Sequence, residues 1–402
     1  MNKVLFEDFN FESFDEGVKA WFYKNYYFLI PSDALLSIAS FKVEGGNLFF
    51  DCPSKKAEKK LGIILSNGLR NLRNRLRDKE TIFINEELGL PLIGCNEFGL
   101  IDRGTNVLEV KPVTGCNLGC IFCSISEGPN NKRDLLVELD YLLREFSALA
   151  SIKKLPVEAN IGPQGEPLLY PKIVELVRGL KSVENVEVVS INTNGLLLSE
   201  SLIDSLHEAG LSRINLSLHS LDEEKASRLS GSSYDVPRIK KLVKYCEGKI
   251  DVMLTPLFIP SINEDLDDLF LFAKTINNKV FPVLGVQNFL NYKQGRNVVE
   301  QASWDSFYDF LKRKEKEIGV PLMLSTSSFK IDYDSTLEKP FRKGQVVKAE
   351  IVCPARNKNE AYAVSSGRTI TVTGLNLSSS FKGSCKVKIL RDKHNIFLAS
   401  RV

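Results

Sequence analysis

The stretch TGCNLGCIFCSIS, Thr114–Ser126, places Cys116, Cys120 and Cys123 within eight residues at the spacing C-x3-C-x2-C. The chain has 8 cysteines in 402 residues, and the other five stand singly. A structural zinc site closes four ligands around the ion and usually draws on two paired motifs, and no second C-x2-C follows. A four-iron, four-sulfide cubane held by three thiolates keeps one iron open to a further ligand, so a trio with no fourth member suits a working cluster.

The sequence around the trio alternates in a way that predicts the architecture. Runs rich in Val, Ile and Leu occur at NVLEVKPVT (106–114), VEANIGP (157–163), VEVVSINTN (186–194), RINLSLHS (213–220), DVMLTPLFIP (251–260) and VFPVLGVQN (280–288). Segments of helical period lie between them, among them DLLVELDYLLREFSAL, YPKIVELVRGLK, LLSESLIDSLHEAG and VPRIKKLVKYC. Parallel strands need a crossover of this kind, so the pattern predicts an α/β fold: a parallel sheet curled into a partial (β/α)6 barrel, with its active groups at the carboxyl ends of the strands. The chemistry-bearing residues obey that rule. The cysteine loop follows the first strand, QGEP the second and NTNG the third, and SLHS ends the fourth.

Cys116, Cys120, Phe122 and Cys123 together read C-x3-C-x-aromatic-C, and with the six-unit architecture they resemble the radical S-adenosylmethionine (SAM) superfamily. The resemblance covers roughly residues 106–288. It implies a [4Fe-4S] cluster on Cys116, Cys120 and Cys123 whose open iron chelates SAM, and Phe122 near the adenine. In the superfamily a Gly-Gly-Glu-Pro motif holds the methionine amino group; here Gln164, Gly165, Glu166 and Pro167 occupy it, so the first glycine is replaced. Asn192, Thr193, Asn194 and Ser217 match positions that contact ribose or substrate, and Gln287 and Asn288 are further candidates. The implied chemistry is reductive cleavage of SAM to a 5'-deoxyadenosyl radical, with an external electron donor of ferredoxin or flavodoxin type. Of the 3 histidines, His207 lies in a helical pattern and His219 faces the expected site.

The flanks complete the organisation. Residues 1–104 form an aromatic-rich α+β extension in which LSNGLRNLRNRLRDKE (65–80) predicts an amphipathic helix from Leu69, Leu72 and Leu76. Residues 105–328 carry the partial barrel. Residues 341–402 show short alternating runs broken by glycines, the pattern of a small antiparallel β-barrel. This tail holds 12 Lys and Arg against 3 Asp and Glu, while the rest of the chain holds 41 against 47. It resembles the TRAM module, an oligonucleotide-binding-like barrel found on RNA-modifying enzymes. Val346, Ala349, Ile351, Ile370, Val372, Val387 and Ile389 are its expected interior. Lys348, Arg356, Lys358, Arg368, Lys386, Lys388 and Arg391 are left to meet phosphates.

Other features narrow the reading. The opening MNKVLFEDFNFESF is acidic where a leader would be basic, and no apolar run approaches the roughly 18 residues of a membrane span, so a cytoplasmic location is expected. Only Cys52 and Cys95 precede the trio, which speaks against the methylthiotransferases and their additional cysteine trio. Cys246, Cys353 and Cys385 stand apart, unlike the grouped carboxyl-terminal cysteines of molybdenum-cofactor cyclases. FGLIDRGTNVLEVKP, GEPLLYP and VQNFLNYKQGRN are similar to an archaeal group of radical SAM proteins with a TRAM-like tail. The reading is an RNA-modifying radical SAM enzyme, with tRNA the expected substrate class. Two alternatives stay open: a radical SAM enzyme acting on a metabolite or protein side chain, and a non-enzymatic iron-sulfur RNA-binding protein.

Overall fold

The computed structural model describes residues 1–130, 132–162, 164–375 and 383–402, and the chain separates into two compact units. One contains Met1–Asn85, Asn131–Leu136 and Arg356–Lys358; the other contains Glu86–Asn130, Val137–Ala355 and Asn359–Val402.

In the first unit the strands Phe9–Phe14, Gly17–Phe22, Tyr26–Pro31 and Arg73–Asn74 form one sheet, and Asn2–Lys3, Asn47–Phe50 and Phe41–Glu44 another. The helix expected from Leu69, Leu72 and Leu76 does not form. The helix Ser54–Gly68 passes into a single 3-10 turn, Leu69–Asn71, and the chain then extends, with Tyr26 pairing to Asn74 and Tyr27 to Arg73. Leu72 is buried and Leu76 is half exposed. Backbone pairing with an aromatic strand outweighs a weak helical periodicity. DLLVELDYLLREFSAL also begins differently: Asp134–Val137 is a strand paired with Thr81–Ile84, and the helix starts only at Leu139.

In the second unit five parallel strands stand side by side: Val107–Lys111, Val157–Ile161, Val186–Thr193, Arg213–Leu216 and Asp251–Leu254. Gly99–Asp102 adds an antiparallel edge beside the first. The sixth expected strand is present in interrupted form, as a parallel bridge from Leu254 to Leu284 and a two-residue pairing of Leu257–Phe258 with Gln287–Asn288. Helices return the chain between strands, started by side-chain caps. Ser199 accepts from the Leu202 N–H, Asp222 from Lys225 and Asp235 from Arg238, each satisfying a donor that a helix start leaves open. This is the partial barrel expected from the sequence. Among the described residues no helix is long and apolar enough to cross a membrane.

The tail forms a closed barrel of five strands, in the order Val346–Pro354, Glu360–Ser365, Arg368–Thr373, Leu398–Arg401, Gly383–Arg391. Four pairings are antiparallel, and Thr371–Thr373 runs parallel to Leu398–Ser400. Part of the expected tail, 376–382, lies outside the described residues. Ala349, Ile351, Ile370, Val372, Val387 and Ile389 fill the interior with Phe341 and Phe397. Val346 is exposed instead, because the alternation runs through Val347 at this end of the strand. Arg356 is not a phosphate contact. It is 1% exposed, donates from Nε to the Arg133 carbonyl at 2.9 Å and faces the Asp134 carboxylate at 3.8 Å.

Backbone and side-chain bonds fasten the barrel to the segment before the antiparallel edge strand. The Thr369 N–H donates to Ile93 O at 2.9 Å, the Phe397 N–H to Gly94 O at 2.8 Å, and Thr369 Oγ1 to Pro91 O at 2.7 Å. The Tyr362 hydroxyl donates to Glu97, and its ring meets Phe98 edge to face. Gly94 is what permits the approach: at φ +126° it lies so close that a Cβ would stand 2.1 Å from the Thr369 carbonyl oxygen. Gly94→Ala is therefore expected to destabilise the protein by about 2 kcal/mol or more, because strained backbone and a main-chain clash act together. Denaturant unfolding checks this, and an unchanged midpoint would show that the barrel is not anchored through this segment.

Candidate active site

The cysteine loop leaves the first parallel strand and is held at many points. The Gly119 N–H donates to Ser230 O and the Ile121 N–H to Leu229 O, both at 3.0 Å. Backbone N–H groups also reach the sulfurs: Leu118 to Cys116 Sγ at 3.4 Å and Glu127 to Cys123 Sγ at 3.2 Å. Burial pushes the Cys120 thiol up to about 12, with Cys123 adding to it. Burial and the Glu166 charge push Cys116 well above the ordinary thiol range. Thiolates here need cations, so metal binding and deprotonation are coupled. Among the described residues no group of three or more His, Cys, Asp or Glu converges on a single ion. A cubane asks for no such convergence, because it presents separate iron corners to its thiolates, and three thiols on one loop with N–H groups aimed at two of the sulfurs fit it.

Gly165 and Glu166 lock the second-strand loop under the first. Gly165 sits at φ +77°, where a Cβ would lie 2.0 Å from the Gly115 carbonyl oxygen, and the next N–H, Glu166, donates to that same oxygen at 2.8 Å. The Glu166 side chain is buried. Its Oε1 accepts from Thr193 Oγ1 at 2.7 Å and Leu168 N at 3.0 Å, and its Oε2 from Asn194 N at 2.8 Å. Burial raises its pKa, and those three donors oppose the rise. A carboxylate has about four acceptor positions, so this side chain braces the site and retains one for a ligand. Gln164, also buried, lies 3.4 Å from Glu127, and Pro167 opens a 3-10 turn.

Asn194 links the third strand to the cysteines: its Nδ2 donates to Asn117 Oδ1 at 2.8 Å and lies 4.0 Å from Cys116 Sγ. Ser217 donates its N–H to Thr193 O at 2.8 Å, and with Cys120, Asn194, His219, Ser230 and Tyr234 it lines a small cavity behind the loop. Phe122 packs edge to face on His219, ring centroids 4.7 Å apart. Of the remaining candidates, Gln287 is exposed on a two-residue strand that pairs with Leu257–Phe258, and Asn288 turns its amide to Ala302 O at 3.1 Å.

Two features had no clear sequence signal. The first is a closed ring of hydrogen bonds across the inner face of three strands. Arg213 donates to Asn215, Asn215 to Asn192, Asn192 to Asn160, Asn160 to Ser190 and Ser190 to Glu158; Arg213 also pairs with Glu158. The Arg213 guanidinium stands 4.4 Å from the Phe281 ring. Residues two apart on neighbouring strands share one face, a spacing visible in sequence, but their pairing depends on register. The second is Arg296, which reaches the cysteine loop from beyond the sixth strand.

His219 accepts from the Leu257 N–H at its Nδ1, 3.2 Å, and burial lowers its pKa to about 4. The unfolded chain therefore binds more protons than the folded one between about pH 6.5 and 4, and stability is lost as pH falls through that window. The loss approaches about 3 kcal/mol. His219→Gln keeps an acceptor and does not titrate, so its unfolding midpoint is expected to vary less with pH over that range; identical profiles would refute this role.

Comparison with known proteins agrees with the geometry. The radical SAM superfamily model matches residues 110–273. An uncharacterised protein of Methanocaldococcus jannaschii is 36% identical over 394 residues, covering 90% of each chain. The GTP 3',8-cyclase of Chlorobaculum tepidum is 32% identical over 184 residues, 45% of this chain and 53% of that enzyme, so the chain spans about half the length of that relative. The crystal structure of Streptococcus suis SuiB bound to S-adenosylmethionine aligns with a TM-score of 0.41 at 16% identity, over 79% of this chain and 70% of that one. With a relative at this identity over nine-tenths of both chains and the motif seated at the carboxyl ends of a partial barrel, the chain belongs to the radical SAM superfamily, enzymes that work with a [4Fe-4S] cluster and S-adenosylmethionine.

Proposed function

We propose that this protein is a radical SAM enzyme that modifies RNA, tRNA being the expected class, with Cys116, Cys120 and Cys123 holding the cluster and the basic barrel binding the nucleic acid. When bound, cluster and SAM supply a 5'-deoxyadenosyl radical that removes a hydrogen atom from substrate. Gly165 lets the second-strand loop close on the Gly115 carbonyl at the head of the cysteine loop, and Glu166 keeps Thr193 and Asn194 in place. The Asn160, Asn192 and Asn215 amides form a polar, pre-organised floor. Phe122 and His219 wall the site with rings, His219 neutral near pH 7. An external donor of ferredoxin or flavodoxin type in the cytoplasm is the expected electron source.

The observation that carries the RNA reading is the register between the barrel strands Val346–Pro354 and Gly383–Arg391. Lys348 lies directly opposite Lys386, with Lys388 opposite Val346, and all three lysines are exposed. Like charges directly opposed across a ladder are destabilising, so their retention suits a face that meets a polyanion. In oligonucleotide-binding barrels the second and third strands usually carry the ligand. Here those strands bond to Pro91, Ile93 and Glu97, which favours the lysine face for RNA. A second reading, a purine nucleotide as substrate, draws on the similarity to GTP 3',8-cyclases over the barrel region.

Anaerobic reconstitution is expected to load about four irons and four sulfides per chain, and to support reductant-dependent release of 5'-deoxyadenosine. Changing Cys116, Cys120 and Cys123 together to Ala should abolish both; iron retained at the wild-type level by that variant refutes the ligand assignment.

Replacing Lys348, Lys386 and Lys388 by Gln is expected to weaken tRNA binding at least tenfold and to flatten the slope of log K against log salt by about 0.7 for each single-stranded phosphate no longer neutralised. Stability should hold or rise by about 0.2–1 kcal/mol as the repulsion is relieved. Undiminished, salt-dependent tRNA affinity would move RNA binding off this face, and no salt-dependent affinity in the wild type would favour the nucleotide reading.

A further inference from the structure

Arg296 makes three hydrogen bonds to carbonyl oxygens of the cysteine loop. Its own N–H donates to Cys123 O at 2.9 Å, its Nη1 to Cys120 O at 2.6 Å and its Nη2 to Glu127 O at 2.5 Å. Two of the three carbonyls belong to the motif cysteines themselves. The contact is long-range: 176 residues separate Arg296 from Cys120.

The segment that carries Arg296 is built to deliver it. The Gly295 N–H donates to Tyr292 O at 2.9 Å, Asn297 Oδ1 accepts from the Tyr292 N–H at 3.1 Å, and Asn297 Nδ2 returns a bond to Tyr292 O at 3.0 Å. Outside that turn, Asn291 and Gln301 exchange bonds at 3.0 and 2.8 Å. Gly295 passes close to the cysteine loop, where a Cβ would stand 3.0 Å from the Ser124 carbonyl oxygen. A fixed turn at the end of a long connection thus presents one guanidinium to the cysteine loop. A planar fork of five donors suits this use, since it spans two carbonyls at once and stays charged at any working pH.

We infer that Arg296 is a positioning residue for the cluster that both fixes the cysteine loop and, by its charge, raises the cluster's reduction potential. The inference rests on the cluster assignment above. Hydrogen bonding and charge around the thiolates are among the levers that set such potentials, and a fixed cation favours the more negative, reduced state. Here the guanidinium donates to the Cys120 and Glu127 carbonyls while the Arg296 N–H holds the Cys123 carbonyl, so a fixed positive charge stands against the loop that carries the three thiols. It also ties the loop to the chain that follows the sixth strand.

The test uses full-length protein reconstituted without oxygen, as Arg296→Lys and Arg296→Gln beside wild type. Iron content, the electron paramagnetic resonance spectrum of the reduced cluster and its midpoint potential by redox titration are read on each. Arg296→Gln is expected to keep a cluster whose potential is shifted to more negative values, with iron lost to a chelator at least tenfold faster. Arg296→Lys should restore most of the potential and only part of the chelator resistance, since it returns the charge without the fork. An unshifted potential in Arg296→Gln overturns the inference. So does an equal loss of iron from both variants with unchanged circular dichroism, which would make Arg296 a brace alone. Failure of the wild type to load iron would instead strike the cluster assignment, so the two readings fail separately.

Discussion

The site is organised around one buried carboxylate. Glu166 is 1% exposed, where an ionised group is costly unless it is fully hydrogen-bonded. Its three donors come from its own 3-10 turn and from the end of the third strand, while its N–H holds the Gly115 carbonyl at the head of the cysteine loop. Remove the carboxylate and Thr193, Asn194 and Leu168 lose their acceptor together. Asn194 in turn holds Asn117, next to Cys116, so the consequence reaches the motif within two bonds. A residue expected to touch SAM is thereby also the residue that fixes the relative height of three strand ends.

The polar ring beneath extends the same logic. Glu158 and Arg213, 6% and 4% exposed, would each be expensive alone. Linked through Ser190 and three asparagines they form a network in which each pair supports the next. Such a layer inside the barrel sets strand register by chemistry as well as by volume, because a slip of one residue would turn every member to the other face.

Legibility in the sequence follows the range of the interaction. The cysteine spacing, the strand-helix alternation and QGEP are local patterns, and the motif residues stand at strand ends as expected. The interior of the small barrel is legible except at Val346, which is out of phase with the unbroken alternation of Val347, Ala349 and Ile351. What stays hidden depends on distant partners. Arg356 reads as one more surface cation until Asp134 lies beside it; Arg296 sits in a polar loop with nothing local to distinguish it. Leu69, Leu72 and Leu76 show genuine helical spacing, yet pairing of Asn74 with Tyr26 decides the conformation there.

The barrel is tied to the chemistry by a short physical route. Tyr362 bonds Glu97, and the neighbouring Asn96 carbonyl accepts from Lys111 Nζ at 2.8 Å. Lys111 ends the first parallel strand, three residues before the stretch that begins at Thr114. It is 3% exposed, and burial lowers its pKa while Glu109 partly offsets this. A buried lysine answered by a backbone carbonyl is sensitive to anything that moves that carbonyl. Deleting the barrel would free Pro91–Phe98 and with it the acceptor of Lys111, so loss of activity on truncation would report disturbed support for the first strand as readily as impaired substrate binding. Point changes on the lysine face leave Pro91, Ile93, Gly94 and Glu97 bonded, and for that reason they separate recognition from support where truncation cannot.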